Sequence, residues 1–222
     1  MKNYKMLLLP FVMAMLFVSC EKGPKVDMVK IPGTNFKMLK TEVTQKLYVS
    51  VMGNNPSEFK GTDRPVENVS WYDAVKFCNE LSMKKGLFPV YTINGEDVTW
   101  DKSASGFRLP TVSEWEYAAR GRGGKDYKDA GSNNIEDYDE VAWYMENSNG
   151  QTHPVAKKKA NSYGLYDMSG NVIEWCWDYV QYKSGRPGRR YSGTSWKWEG
   201  MTSEYADKHD NTIGFRIVRN IK

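Results

Sequence analysis

Three cysteines, Cys20, Cys78 and Cys176, and two histidines, His153 and His209, hold the reactive sulfur and imidazole of this 222-residue chain. Cys20 follows Lys2, Lys5, an apolar run from Met6 to Val18 and the small residue Ser19. A positive segment, an apolar stretch of that length and a small residue at the cut describe a secretory signal. The run falls short of the about 20 apolar residues that a membrane-spanning helix needs. A cysteine at the first mature position predicts acylation, so Cys20 is read as a lipid anchor rather than as a thiol the cut happens to expose. Cys78 and Cys176 can pair as one disulfide in an exported domain, or lie apart as buried thiols that pack like small apolar residues. Cys78 shares a helical face with Ala74, Val75 and Leu81, which favours burial. The histidines are far apart in sequence, and neither a zinc-ligand spacing nor a Ser-His-Asp order is present.

The chain that has to position these groups divides into a signal (1–19), a short solvated tether (20–26) and one domain (27–222), a length that suits a single full core. The net charge of +4 shrinks when Lys2 and Lys5 leave with the signal, and no basic stripe is present. Nucleic acid is therefore not an expected partner. Fourteen tyrosines and eight tryptophans suit a fold with much irregular backbone, or a binding surface.

Met28 to Met38 reads as strand, Pro-Gly turn and strand. Thr44 caps a helix to about Met52, which Gly53 stops. Ser70 with Asp73 opens a second helix through about Ser82, and Thr111 with Glu114 a third, Val112 to Arg120. The third helix buries Val112, Trp115, Ala118 and Ala119. Val90–Ile93 and Val98–Trp100 flank Asn94-Gly95, and the loop between them is read as longer than two residues. Little periodicity follows Gly121 until about Asp139. Late strands are predicted at Val172–Trp177 and Ile213–Val218. Three or so helices and several short strands around one core make an α+β domain.

Five stretches in order now resemble one family. They are Glu42–Gln45 with Val51–Phe59; Pro65–Trp71 with Asp73-Ala74; Phe107–Thr111 with Glu114–Gly121; Asn161–Glu174 with Trp175; and Gly214-Phe215-Arg216. On these the chain is identified as similar to the formylglycine-generating enzymes, or sulfatase-modifying factors. The resemblance implies a loop-rich single domain of formylglycine-generating-enzyme type, related to C-type-lectin folds. Active members oxidise a sulfatase cysteine with two cysteines that hold copper, downstream of a Gly-Gly-Ser-aromatic motif. Soft thiolate sulfur suits Cu(I). Here the motif reads Gly193-Thr194-Ser195-Trp196, ungapped counting puts Trp198 and Ser203 at the cysteine positions, and no cysteine follows Cys176. No copper is therefore expected. The resemblance to the iron-dependent branch of the family is not expected to hold either, because these residues show no extra helical segment with a metal-binding His pattern.

The resemblance also implies structural calcium at Asp167, Gly170, Val172 and Glu174, with two side-chain carboxylates and two backbone carbonyls. A hard cation wants about six to eight such oxygens. The competing reading pairs Glu174 with Arg108 or Arg216 and leaves Asp167 to cap its own turn. A second family site, near Asn147 to Gly150, is too altered to carry over.

Two functions remain. In the preferred one, the chain is exported and lipid-anchored through Cys20 in a bacterial cell envelope, at the outer membrane or cell surface. There it acts as a non-catalytic binding or scaffold module for a protein or glycan. Its ligand surface is expected at Tyr191, Ser195, Trp198 and Tyr205, with Trp196 packed inward. In the other, it is a sulfatase-maturation enzyme or an accessory subunit of one.

Overall fold

Short polar side chains mark the helix ends, and the structure uses them as expected. A computed structural model describes residues 24–122, 138–197 and 202–221. Thr44 accepts the Leu47 N–H and starts helix α1 (Gln45–Met52), which closes on Gly53 at φ +82°. Ser70 and Asp73 form a reciprocal capping box at the start of α2 (Trp71–Lys84). Thr111 and Glu114 do the same for α3 (Val112–Arg120). Each box satisfies two of the four N–H groups that a helix start leaves open. A single turn, α4 (Tyr138–Val141), follows later. The aperiodic stretch expected after Gly121 falls mostly outside the described residues.

Ten short strands accompany these helices among the described residues. Strands β1 (Met28–Lys30), β2 (Phe36–Leu39), β5 (Phe107–Arg108) and β10 (Val218–Asn220) form a sheet in the order β1-β2-β10-β5. Strands β3 (Tyr91–Asn94) and β4 (Asp97–Trp100) form a hairpin. Strands β6 (Ile173–Gln181), β7 (Pro187–Ser192), β8 (Ser203–Tyr205) and β9 (Ile213–Gly214) form the second large sheet, in the order β8-β7-β6-β9. The domain is α+β.

Two expectations are corrected. Asn94 pairs with Asp97, so the β3–β4 loop is only Gly95-Glu96, two residues long. Gly95 takes φ +63°, the conformation a tight hairpin demands and glycine adopts freely. The stretch Ile213–Val218 is not one strand but the end of β9, a crossing segment and the start of β10. Phe215, Arg216 and Ile217 are all fully buried, whereas a strand turns successive side chains to opposite faces. The segment passes between the two sheets, and the carbonyls of Phe215 and Ile217 accept from the Val43 and Leu39 N–H groups.

Two hydrophobic clusters fill the interior. The larger joins α1 and α2 to Phe107, Leu109, Trp175, Tyr191 and Phe215; the smaller joins Ile31, Phe36, Met38 and Val218 to α3, Leu165 and Cys176. Both central indoles have hydrogen-bond acceptors. Trp71 donates to the Cys176 carbonyl and Trp175 to the Val69 carbonyl, each at 2.9 Å. Burying an indole without such a partner wastes part of its gain. Among the described residues, no helix is long and apolar enough to cross a membrane.

Candidate functional site

The loop Asp167–Val172 carries three of the four expected calcium ligands into the start of β6, where Glu174 supplies the fourth. Asp167 and Asn171 hold φ of +54° and +63°, a left-handed region that Asp and Asn tolerate better than most residues. Gly170, at φ +78°, bridges Trp143. A Cβ on it would lie 2.2 Å from the Trp143 carbonyl oxygen. The loop is therefore pinned by backbone geometry at three of its six positions.

Glu174 is fully buried, and both its oxygens have donors. Arg216 Nη2 donates to Oε1 and Arg216 Nε to Oε2, each at 2.6 Å. Trp115 Nε1 also donates to Oε2, at 2.6 Å. Arg108 instead binds Glu114, at 2.6 and 2.7 Å. Of the two arginines considered from sequence, the fold gives Arg216 to Glu174. Asp167 accepts the Ala156 N–H at 2.7 Å rather than capping its own turn.

A third carboxylate completes this cluster. Glu42, fully buried, accepts from the Asn171 side-chain amide at 2.8 Å and from the Val172 N–H at 3.1 Å. Burial pushes its carboxyl well above the usual range, and the charges of Asp167 and Glu174 add to that push. Burial likewise raises Asp167, to about 6. Burial works against the charge of Arg216, but the adjacent Glu174 more than offsets it and the pKa moves up. Three carboxylates thus share one guanidinium. Among the described residues, no three Asp, Glu, His or Cys side chains converge on a point that could hold a metal ion.

The expected ligand surface is placed differently. Tyr191 is buried, edge-on to Trp175 at 5.7 Å, and Ser195 is buried with its hydroxyl accepting the Lys197 N–H. Both therefore stand behind the surface rather than on it. Tyr191 lies in β7 opposite Trp175 of β6, and Ser195 lies in the loop that follows β7. Tyr205 is half-buried, 4.8 Å from the Tyr182 ring and under the Arg186 guanidinium at 4.0 Å. Trp198 lies outside the described residues. Trp196 packs on Phe59 at 5.4 Å and donates to the Asn211 carbonyl. Ser203, at the second cysteine position of active relatives, accepts a hydrogen bond from the Tyr182 hydroxyl at 2.9 Å.

Cys78 and Cys176 are free and fully buried, in different core clusters. Burial pushes both thiols up, Cys176 strongly so. His153 stacks on Trp143 at 3.8 Å, and His209 contacts Asp73 at 3.0 Å. They form no common centre.

Sequence reasoning gave no role to Glu42, Glu67 or Arg189. Glu42 lay inside a recognised motif, but its partners are 129 and 130 residues away. Glu67 is buried, with Oε1 accepting the Phe59 N–H and Oε2 meeting no donor among the described residues. Burial lifts its pKa to about 7. Arg189 lies 3.8 Å over the Trp71 ring and donates to the Trp177 carbonyl. Glu67 also lay inside a recognised motif, but membership of a motif does not show what a side chain will meet in the fold.

Comparison with known proteins fits this geometry. Residues 16–221 match the sulfatase-modifying factor enzyme 1-like domain. The chain is 41% identical over 229 residues to the "Chaperone protein LppX" of Paenibacillus barcinonensis, covering 84% of this chain and 81% of that protein. It is 34% identical over 131 residues to a formylglycine-generating enzyme of Thermomonospora curvata, covering 53% of this chain and 35% of the enzyme. The structure of Treponema denticola variable protein 1 superposes with a TM-score of 0.77 at 35% identity, covering 88% of this chain and 92% of that one. With most of its length matched and its motifs in order, the chain belongs to the family of sulfatase-modifying factor enzyme 1-like domains.

Proposed function

We propose that this chain is an exported, lipid-anchored and non-catalytic member of its family, a chaperone- or scaffold-type module that holds another exported protein. The carrying observation is the absence of sulfur where active relatives grip copper: Trp198 and Ser203 stand at those positions and no cysteine follows Cys176. The two thiols left in the domain do not fit copper. Metal binding needs thiolates, and burial keeps both protonated in separate parts of the core. The 41% identity to a protein named as a chaperone supports a protein client over a sugar. The contact surface would centre on Tyr205, Tyr182 and Arg186, beside a cleft of about 110 Å³ whose wall includes Tyr72 and Asp207. Aromatic rings and arginine are the side chains that most often dominate protein contacts.

The test combines two assays on the mature protein. Incubated with copper and a cysteine-containing sulfatase peptide, it should yield no aldehyde by mass spectrometry. Used as bait in its own envelope extract, it should retain an exported protein, and Tyr205→Ala with Arg186→Ala should release it. Multiple-turnover aldehyde formation would overturn the proposal in favour of sulfatase maturation.

We also propose that calcium binds at Asp167, the Gly170 and Val172 carbonyls and Glu174. What supports this is charge. Three buried carboxylates face one guanidinium, and a divalent cation would balance the surplus. Glu174 is already engaged by Arg216 and Trp115, but a carboxylate offers about four acceptor sites, so one direction stays open for sharing. EGTA is expected to lower the melting temperature by about 2–4 °C, the shift that roughly 1 kcal/mol produces in a domain of this size, and Asp167→Asn should abolish that response. An identical melting curve with and without chelator removes the calcium site.

A further inference from the structure

The sheet β1-β2-β10-β5 carries a feature that neither folding nor client binding explains. Register places Lys30 opposite Lys37, and Lys37 opposite Arg219. Directly paired residues project from the same face, so three positive charges stand in one row across three adjacent strands. Like charges directly opposite each other destabilise a sheet. None of the three forms an ion pair among the described residues; Arg219 donates only to the Ser105 carbonyl.

Lysine on an edge strand is a familiar guard against strand addition, and β1 is an edge. That explanation covers Lys30 alone. Strands β2 and β10 are paired on both sides, so Lys37 and Arg219 guard nothing.

The location of the row points to its partner. Lys37 and Arg219 line a groove of about 450 Å³ together with Val26, Asp27 and Met28, the segment where the tether enters the domain, and Leu87. Phe88, the next residue, is 79% exposed. Val26 is six steps along the chain from Cys20, a span of at most about 20 Å when fully extended. An acyl chain on Cys20 therefore holds this groove close to the lipid headgroups, near the reach of electrostatics at physiological salt, where the screening length is about 8 Å.

We propose that the Lys30–Lys37–Arg219 face is a docking surface for the anionic phospholipid leaflet in which the Cys20 lipid is embedded, with Phe88 entering the headgroup region. This rests on the anchored reading given above. Phosphate groups relieve the repulsion within the row, and each lysine or arginine near an anionic surface adds to its attraction for that surface. Docking fixes the orientation of the domain, so that one face meets lipid and the rest is free for a client.

The acylated protein, purified from its membrane, provides the test. Phe88→Cys is labelled with a polarity-sensitive fluorophore; Cys78 and Cys176 are buried and do not compete. In vesicles containing phosphatidylglycerol, a blue-shifted emission quenched by nitroxide-bearing lipid is expected. In pure phosphatidylcholine vesicles the quenching should fall several-fold. Lys30→Gln with Lys37→Gln should reproduce that fall without lowering the melting temperature, since both side chains are exposed. Adding Arg219→Gln should remove what quenching is left. Equal quenching in both lipids, or quenching unaffected by the substitutions, overturns the docking surface while leaving the anchor intact. Radiolabelled palmitate entering the wild type but not Cys20→Ser supports the anchor itself. Its failure to enter the wild type overturns the anchor, and the docking inference with it.

Discussion

Replacing Glu174 with alanine is expected to destabilise the domain by about 3–5 kcal/mol, the usual result of stranding one partner of a buried ion pair. Arg216 has no exposure and donates two of its hydrogen bonds to Glu174 at 2.6 Å. Its other acceptors are backbone carbonyls of Leu39, Tyr166 and Asp167, which satisfy donors but do not neutralise charge. Trp115 loses its acceptor in the same step. Glu42 and Asp167 are near enough to compensate in part, which sets the lower bound of the range.

The converse change, Arg216→Met, leaves three carboxylates without a cation, and its cost should depend on pH. Glu42 and Asp167 already sit above their ordinary values in the wild type, through burial first; the charges of Asp167 and Glu174 add to the rise of Glu42, and that of Glu174 to the rise of Asp167. Without Arg216 they rise further. A carboxyl whose folded pKa is raised binds protons more tightly folded than unfolded, so its protonated form stabilises the fold at low pH. That stability is lost as pH climbs from about 4 toward and beyond 6. Arg216→Met should accordingly approach wild type as the pH falls, whereas Glu174→Ala should not. The double substitution Glu174→Leu with Arg216→Met should recover much of either loss, because a packed apolar pair often matches a buried ionic one. Urea unfolding in EGTA, with m-values checked for constancy, measures the whole cycle. A Glu174→Ala penalty under about 1 kcal/mol, the range of an exposed pair, would falsify the assignment of this pair as the keystone of the cluster.

Gly170→Ala should also be damaging, by about 2–5 kcal/mol, because two penalties add. The residue holds φ +78°, where an L side chain costs roughly 1–2 kcal/mol. The new Cβ would also meet Trp143 backbone atoms at 2.2, 2.6 and 2.8 Å. Backbone cannot rotate away as a long side chain can, and overpacking of this kind costs about 1–3 kcal/mol. Gly53 gives the internal control. It has φ +82°, but a Cβ there would meet nothing within 4 Å, so Gly53→Ala should show the conformational penalty alone. Thermal melting of the two variants side by side separates strain from collision. Equal losses would mean that the Trp143–Gly170 bridge yields without cost.

Much of this domain was readable before any tertiary contact was known, and the reason is range. Capping boxes at Ser70 and Thr111 close within three residues, so their donors and acceptors are fixed by local spacing. Gly53 ends α1 through its own φ. The missing copper thiols are a matter of residue identity, which no fold can alter. The ordered motifs carried the family for the same reason, since identities at fixed spacings survive without knowledge of contacts.

The tertiary structure decided everything that depends on chains meeting far from one another. Glu174 had two candidate arginines; 42 residues of intervening chain brought Arg216 to it and left Arg108 with Glu114. Ile213–Val218 looked like one strand until burial on every side at Phe215–Ile217 broke its alternation. Tyr191 and Ser195 looked like surface because aromatic and hydroxyl side chains suit either environment; the β6–β7 pairing sets Tyr191 opposite Trp175, and the loop after β7 buries Ser195. The partners of Glu42, and the Lys30–Lys37–Arg219 row, had no signal in the linear chain. Charge energies fall with distance through space, not along sequence, so their consequences appear only once the fold has set those distances.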